Sequence, residues 1–279
     1  MLDACRIEHS VGVFHFTRRF EAMTSSIPSS LEPVLKSRYP HRPRVLFVLR
    51  RRPGASPEAF EQALGDWRRR WEFGVAPGTI IARAGVAIAE MQDDLDKQFQ
   101  ASGADVTAID GYVSLDLEIF DPTPADFETL FEAAAGCLEP LIDVVDLAES
   151  VALAGVANLT IPGFAPTSMI LILDRVPELS VEQYNEWWVR HGDDHRRANP
   201  AQVGYHQLHI APEFNALVAD STGTAVTGQC VIDIMYLGHT RDGFPTAADP
   251  SSGDARALAD DIGAHVSFAS VKGSFIREI

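Results

Sequence analysis

The chain has 279 residues, 46% apolar and 22% charged, enough for one large domain or two ordinary ones with full cores. Its net charge of -16 excludes a broad nucleic-acid-binding surface, because phosphate binding rests on Lys and Arg neutralising a polyanion. Three widely spaced cysteines (Cys5, Cys137, Cys230) build neither a disulfide framework nor a zinc site. There is no long apolar run or signal-peptide core, so a cytoplasmic protein with no membrane partner is expected.

Residues 1–43 show no sustained periodicity and read as a partly disordered N-terminal extension. "PRVLFVLRRRPGASPEAFEQAL" (43–64) then reads as a strand, a Pro-containing turn and a helix opened by Ser-x-Glu. "SMILILDRVPELSVEQYNEWW" (168–188) repeats it with a shift of 124: Leu49 meets Leu173, Arg51 meets Arg175, Pro53 meets Pro177, Ser56 meets Ser180 and Glu58 meets Glu182. The first copy continues with strands in "GTIIARAGVAIAE" and "GYVSLDLEIF", a helix in "TPADFETLFEAAAGCL" and a closing strand in "IDVVDLAESVALAG". The second continues with strands in "QVGYHQLHIA" and "GQCVIDIMYLG", a helix in "SSGDARALADDIGAH" and a strand in "VSFASVKGSFIREI". Each copy is thus βαββαβ, a ferredoxin-like unit whose open sheet face needs a partner. The spacing predicts a first repeat over 44–156, a linker over 157–167 and a second repeat over 168–279, the two packing sheet to sheet within one chain.

"LDRVPELSVEQYNEWWVRHG" resembles the opening of EthD-like members of the dimeric α+β barrel superfamily. The resemblance is good over the first strand and helix of each copy and topological elsewhere. It implies an α+β barrel formed by a tandem duplication, with a ligand site between helix, sheet and loop. It also implies lyase, dehydratase, cyclase or isomerase chemistry on an aromatic or polyketide-like small molecule. Family members place a histidine eight residues after the aromatic; His191 follows Tyr184 by seven, so His191 and His195 both compete for that part.

The shift of 124 sets His191 opposite Trp67, His195 opposite Trp71 and Asp194 opposite Arg70, which predicts a competent pocket in the second half and a degenerate one in the first. Gly192 is expected to end or loosen the helix and leave "GDDHRR" as a loop over the barrel mouth. His191 or His195 would then abstract a proton, with Asp194 orienting the ring. Alternation in "GYHQLHIA" turns Tyr205, Gln207 and His209 toward the barrel interior if Leu208 and Ile210 face the helices. Tyr205, His209 or Asp233 would return the proton or bind an oxyanion. Trp187, Trp188 and Tyr236 are expected to contact substrate. Asp233 has an apparent counterpart in Asp116, which also allows a structural role common to both halves. Two bland readings compete: a cationic helix end for the histidines and core packing for the tryptophans. A shared zinc on His191 and His195 is a further reading, weakened by Gly192.

No phosphate-binding, dinucleotide-binding or nucleophile-elbow motif occurs, and nothing resembles the haem-ligating motifs of relatives with this barrel. The expectation is an enzyme needing no cofactor and no metal, monomeric as a pseudo-dimer, with further homodimerisation open. Its rivals are a cofactor-free monooxygenase and a noncatalytic small-ligand carrier serving an oxidative pathway.

Overall fold

The two capping serines display the repeat directly. Ser56 accepts from Ala59 N at 3.1 Å and opens a helix over Pro57–Arg70; Ser180 accepts from Gln183 N at 3.1 Å and opens one over Val181–Ala198. The computed structural model describes residues 26–72, 80–100, 104–199, 202–226, 230–238 and 253–279. In chain order a 3-10 turn (Ser29–Leu31) and α1 (Glu32–Leu35) precede β1 (His41–Leu49), α2 (Pro57–Arg70), β2 (Ile80–Ala87), α3 (Gln92–Gln100), β3 (Val106–Thr107), β4 (Gly111–Leu117), α4 (Pro124–Ala135) and β5 (Val151–Pro162). The second half repeats this with β6 (Thr167–Arg175), α5 (Val181–Ala198), β7 (Gly204–Ile210), α6 (Pro212–Thr222), β8 (Ala225–Val226), β9 (Cys230–Gly238), α7 (Gly253–His265) and β10 (Val266–Glu278). Each half is βαββαβ with one unforeseen insertion, a helix and a two-residue strand between its second and third strands.

The eight long strands run β1-β4-β2-β10-β6-β9-β7-β5, and β5 pairs back to β1, so the sheet closes into an antiparallel barrel. Closure uses the last strand of each half. β5 pairs with β1 of its own half and β7 of the other, while β10 pairs with β6 of its own half and β2 of the other. This is an α+β barrel of two ferredoxin-like units within one chain. Alternate residues point into the barrel, where Leu46, Val48, Ile170, Ile172, Leu208 and Ile234 meet. The opposite faces pack under helices, with Val45, Phe47 and Leu49 in one layer and Met169, Leu171 and Leu173 in the other.

Three expectations are corrected. β5 continues through Pro162, so most of the anticipated 157–167 linker is strand. Part of the anticipated 1–43 extension is ordered: His41–Pro43 belong to β1, Leu31 and Val34 are fully buried, and Ser30 O accepts from Asn185 Nδ2 at 2.7 Å; residues 1–25 lie outside the described residues. Helix α5 runs unbroken through Gly192. A Cβ there would lie 2.8 Å from both Gln207 Oε1 and Thr160 Oγ1, so close packing on the sheet, and not chain termination, requires this glycine. Among the described residues, no helix is long and apolar enough to cross a membrane.

Candidate functional site

Helix α5 lies on the outer face of the second-half sheet, and its spacing stacks Tyr184, Trp187, Trp188, His191 and His195 along the face it buries. The rings form a continuous set. His191 is parallel to Trp188 (centroids 5.0 Å apart, 3° between planes) and 5.0 Å from Trp187. Trp187 is stacked on His265 of α7 at 4.3 Å and 3°. His195 is stacked on Tyr205 of β7 at 3.9 Å and lies 6.3 Å from His191.

Asp261 of α7 gathers this set. Its Oδ2 accepts from Trp187 Nε1 at 2.8 Å and lies 3.5 Å from His191 Nδ1; its Oδ1 lies 3.6 Å from His265 Nδ1. His265 Nδ1 is also 2.8 Å from the Asp261 carbonyl oxygen. Asp194, expected to orient the histidine, instead pairs with Arg197 on the outer face of the helix, where i, i+3 spacing and half-exposure favour it. Asp261 and His265 are the residues sequence reasoning missed. The signal was the Asp-x-x-x-His spacing in "ADDIGAH", which puts both side chains on one helical face.

Burial lowers the pKa of His191, opposed by the Asp261 carboxylate 3.5 Å from Nδ1, so the ring is held neutral near pH 7 and keeps a basic nitrogen. His195 falls to about 4, again through burial. Its Nε2 is 2.6 Å from Gln202 Oε1, while Gln202 Nε2 donates to Gly204 O at 3.0 Å; that fixes the amide and makes His195 Nε2 the donor. His191 is nearly inaccessible, but Asp261 and His265 remain 38% and 25% exposed, so the set is open along the α7 side.

Strand β7 is turned over relative to the expectation. Tyr205, Gln207 and His209 face α5, and His206, Leu208 and Ile210 face the barrel. Gln207 Nε2 donates to Trp188 O at 2.7 Å and its Oε1 accepts from Asn158 Nδ2 at 2.9 Å. His209 Nδ1 meets Asn185 Oδ1 at 3.2 Å, and burial lowers its pKa to about 3. His209 is four residues along the strand from Tyr205, roughly 13 Å at 3.3 Å per residue, and so stands apart from His191 and His195. Tyr236 lies inside the barrel, 4.9 Å from His206, separated from the α5 cluster by the sheet. Register sets Asp233 opposite Gln207 and Leu171, and its side chain lies outside the described residues. Asp116 lies opposite Arg44 inside the barrel, so the two aspartates are not counterparts. The structure therefore assembles His191, His195, Tyr205, Trp187 and Trp188, and separates Asp194, His209 and Tyr236 from them.

The first half has no such chemistry at the matching place. Leu46 and Ile170, 124 apart, lie opposite Ser114 and Ile234, which lie opposite Arg83 and His206. Under that register Tyr205, Gln207 and His209 correspond to Ala82, Ala84 and Val86. Trp67 and Trp71 fill the position of the histidines, their rings 5.7 Å apart, with Trp67 Nε1 donating to Cys137 O at 2.7 Å.

No protein-family model matches the chain and no curated protein sequence does, so the EthD-like motif stands as a resemblance. Solved structures do match. An anthrone oxidase-like protein aligns with a TM-score of 0.53 at 8% identity, over 86% of this chain and 91% of its own. A candidate monooxygenase from Fusobacterium nucleatum gives 0.49 at 7% identity, over 86% and 93%. Another from Lactobacillus acidophilus gives 0.46 at 7%, over 85% and 93%. At 8% identity the first of these likenesses is one of fold.

Proposed function

We propose that this protein is an enzyme that abstracts a proton from an aromatic or polyketide-like small molecule in the α5–α7 region, with no metal or organic cofactor. The observation that carries this reading is His191, buried against two indole rings and facing the Asp261 carboxylate. In this reading Asp261 holds Nδ1–H and leaves Nε2 as the base, then stabilises the imidazolium formed on proton transfer. Trp188, stacked on His191, and Trp187 beside it fix the orientation of the imidazole. His195 and Tyr205 are the nearest groups for a second proton transfer or for an oxyanion.

The carbanion or enolate so formed has two fates that need no cofactor: elimination or cyclisation, as the EthD-like resemblance suggests, and direct reaction with dioxygen. The anthrone oxidase-like neighbour favours the second. An oxygen electrode separates them on a panel of anthrones and hydroxyaromatics: oxygen uptake matching product formation marks the oxygenase, and equal turnover under argon marks the lyase or cyclase. In either case His191→Ala loses about 10²- to 10⁴-fold in rate. Trp67→Ala instead costs about 3–5 kcal/mol of stability and spares turnover per folded molecule. Ligand recovered unchanged, bound equally well by wild type and by His191→Ala and His195→Ala, would replace the enzyme with a carrier.

A further inference from the structure

A second set of polar groups lies inside the barrel, on the other side of the sheet from α5. At one end of the barrel Arg44 is fully buried and forks onto Asp116, with Nε and Nη2 each 2.6 Å from a carboxylate oxygen. Arg42, two residues earlier on β1, and Arg83 on β2 share its face. Glu278 of β10 accepts from Tyr112 Oη and from Ser168 Oγ, the latter at 2.8 Å. Three arginines thus meet three carboxylates here: Asp116 beside Arg44, Glu118 beside Arg42, and Glu278. Two nitrogens in this cluster, Arg44 Nη1 and Arg83 Nε, are buried without a hydrogen-bond partner. His206 is held neutral by burial and then by Arg44, Arg83 and Arg42.

Phe164, on the connection from β5 to β6, covers the cluster. Its ring meets His206 edge-on at 4.8 Å and Tyr236 at 5.0 Å, and the Arg83 guanidinium lies 3.5 Å from its centroid. Outside it opens a cleft of about 370 Å³ walled by Arg68, Arg83, Phe164, Pro166 and Glu278, near the lower end of the ~300–1,000 Å³ common for small-molecule sites. The cleft presents the Arg83 guanidinium, held over the Phe164 ring, and Arg68, whose Nη2 lies 3.0 Å from Glu72 Oε1. Glu278, on the cleft wall, accepts from Tyr112 and Ser168 with one oxygen each.

We infer that this barrel mouth is a second binding site, selective for a small flat aromatic carboxylate, with Arg83 and Arg68 taking the carboxylate and Phe164 the ring. The test titrates benzoate into the full chain by calorimetry, with benzamide as its neutral isostere and inorganic phosphate as a ring-free anion. Benzoate is expected to bind and benzamide to bind at least tenfold more weakly. Loss of a charge-assisted hydrogen bond in Arg83→Met weakens benzoate about 10- to 100-fold. Phe164→Ala weakens it about 2- to 10-fold. Arg68→Met, at the rim, gives the same direction of change should Arg83→Met fail to fold. His191→Ala binds benzoate as wild type does, which separates this site from the α5 cluster. Equal binding of benzamide and benzoate, unchanged binding in Arg68→Met, or displacement by equimolar phosphate would each overturn the proposal.

Discussion

Replacing Asp116 with alanine tests the buried charge pair at the centre of the barrel. Arg44 and Asp116 are 1% and 0% exposed, so neither can recover water when its partner is removed. Burial alone works against the Arg44 charge, but the Asp116 charge and its two hydrogen bonds outweigh it and hold the guanidinium protonated. Asp116→Ala therefore leaves a buried cation without the carboxylate that forks onto it. Breaking a buried pair from one side typically costs about 3–5 kcal/mol. For a chain of this size that lowers the melting midpoint by roughly 6–20 °C, at about 2–4 °C per kcal/mol. Urea unfolding followed by circular dichroism measures it. The double variant Arg44→Met/Asp116→Leu removes both charges, and apolar replacement of a buried pair is often neutral. It is expected to recover most of the loss. A cost under about 1 kcal/mol for Asp116→Ala, the range of an exposed ion pair, would refute the view that this end of the barrel is dry.

Gly192→Ala gains about 1 kcal/mol of helix propensity, yet its Cβ meets Gln207 Oε1 and Thr160 Oγ1 at 2.8 Å. A net loss of about 1–3 kcal/mol is expected from overpacking and from disturbing the Asn158–Gln207–Trp188 hydrogen bonds, and stabilisation in urea would contradict it. Acid should also unfold the protein early. His191, His195, His206 and His209 all have lowered pKa values through burial, to about 4 for His195 and about 3 for His209. Their contribution is fully present above the unfolded value of about 6.5. It is lost as pH falls toward the folded values, at up to about 1.4 kcal/mol per histidine per pH unit, because the unfolded chain binds protons the native state refuses. A urea midpoint that stays flat from pH 6.5 to 4 would remove this account.

The repeat was legible because Ser56 and Ser180 cap equivalent helices, and local capping chemistry survives in sequence when overall identity does not. The closed barrel follows from two open sheet faces in one chain. The orientation of β7 was not legible. Every residue of "GYHQLHI" is buried, so alternation of polar and apolar residues carries no inside–outside signal there. Leu208 and Ile210 suit the barrel interior as well as they suit a helix. Gly192 misled for a related reason: a glycine required by a tertiary approach looks the same in sequence as one that stops a helix. Asp261 lies 70 residues from His191, and only the packing of α7 beside α5 brings their side chains within 3.5 Å.

The register that equates the halves also shows how they have diverged. On the helix side the second half has Tyr205, Gln207 and His209 where the first has Ala82, Ala84 and Val86. Inside the barrel the contrast reverses: Arg44 and Asp116 lie opposite each other at the position that Ser168 and Tyr236 take in the second half. β1 and β6 are separated by an even number of antiparallel steps, so they run in the same direction and both interior sets reach the same barrel end. In a barrel made of two identical chains, every interior substitution would appear twice around the axis. A buried Arg–Asp pair would then become four charges in a space that here holds one such pair beside Tyr236 and His206. Fusion removes that constraint. The first half can carry an Arg–Asp pair into the barrel while the second sets a serine and a tyrosine at the same position. Meanwhile the helix-side histidines can develop over one sheet face without a second set competing for the same core.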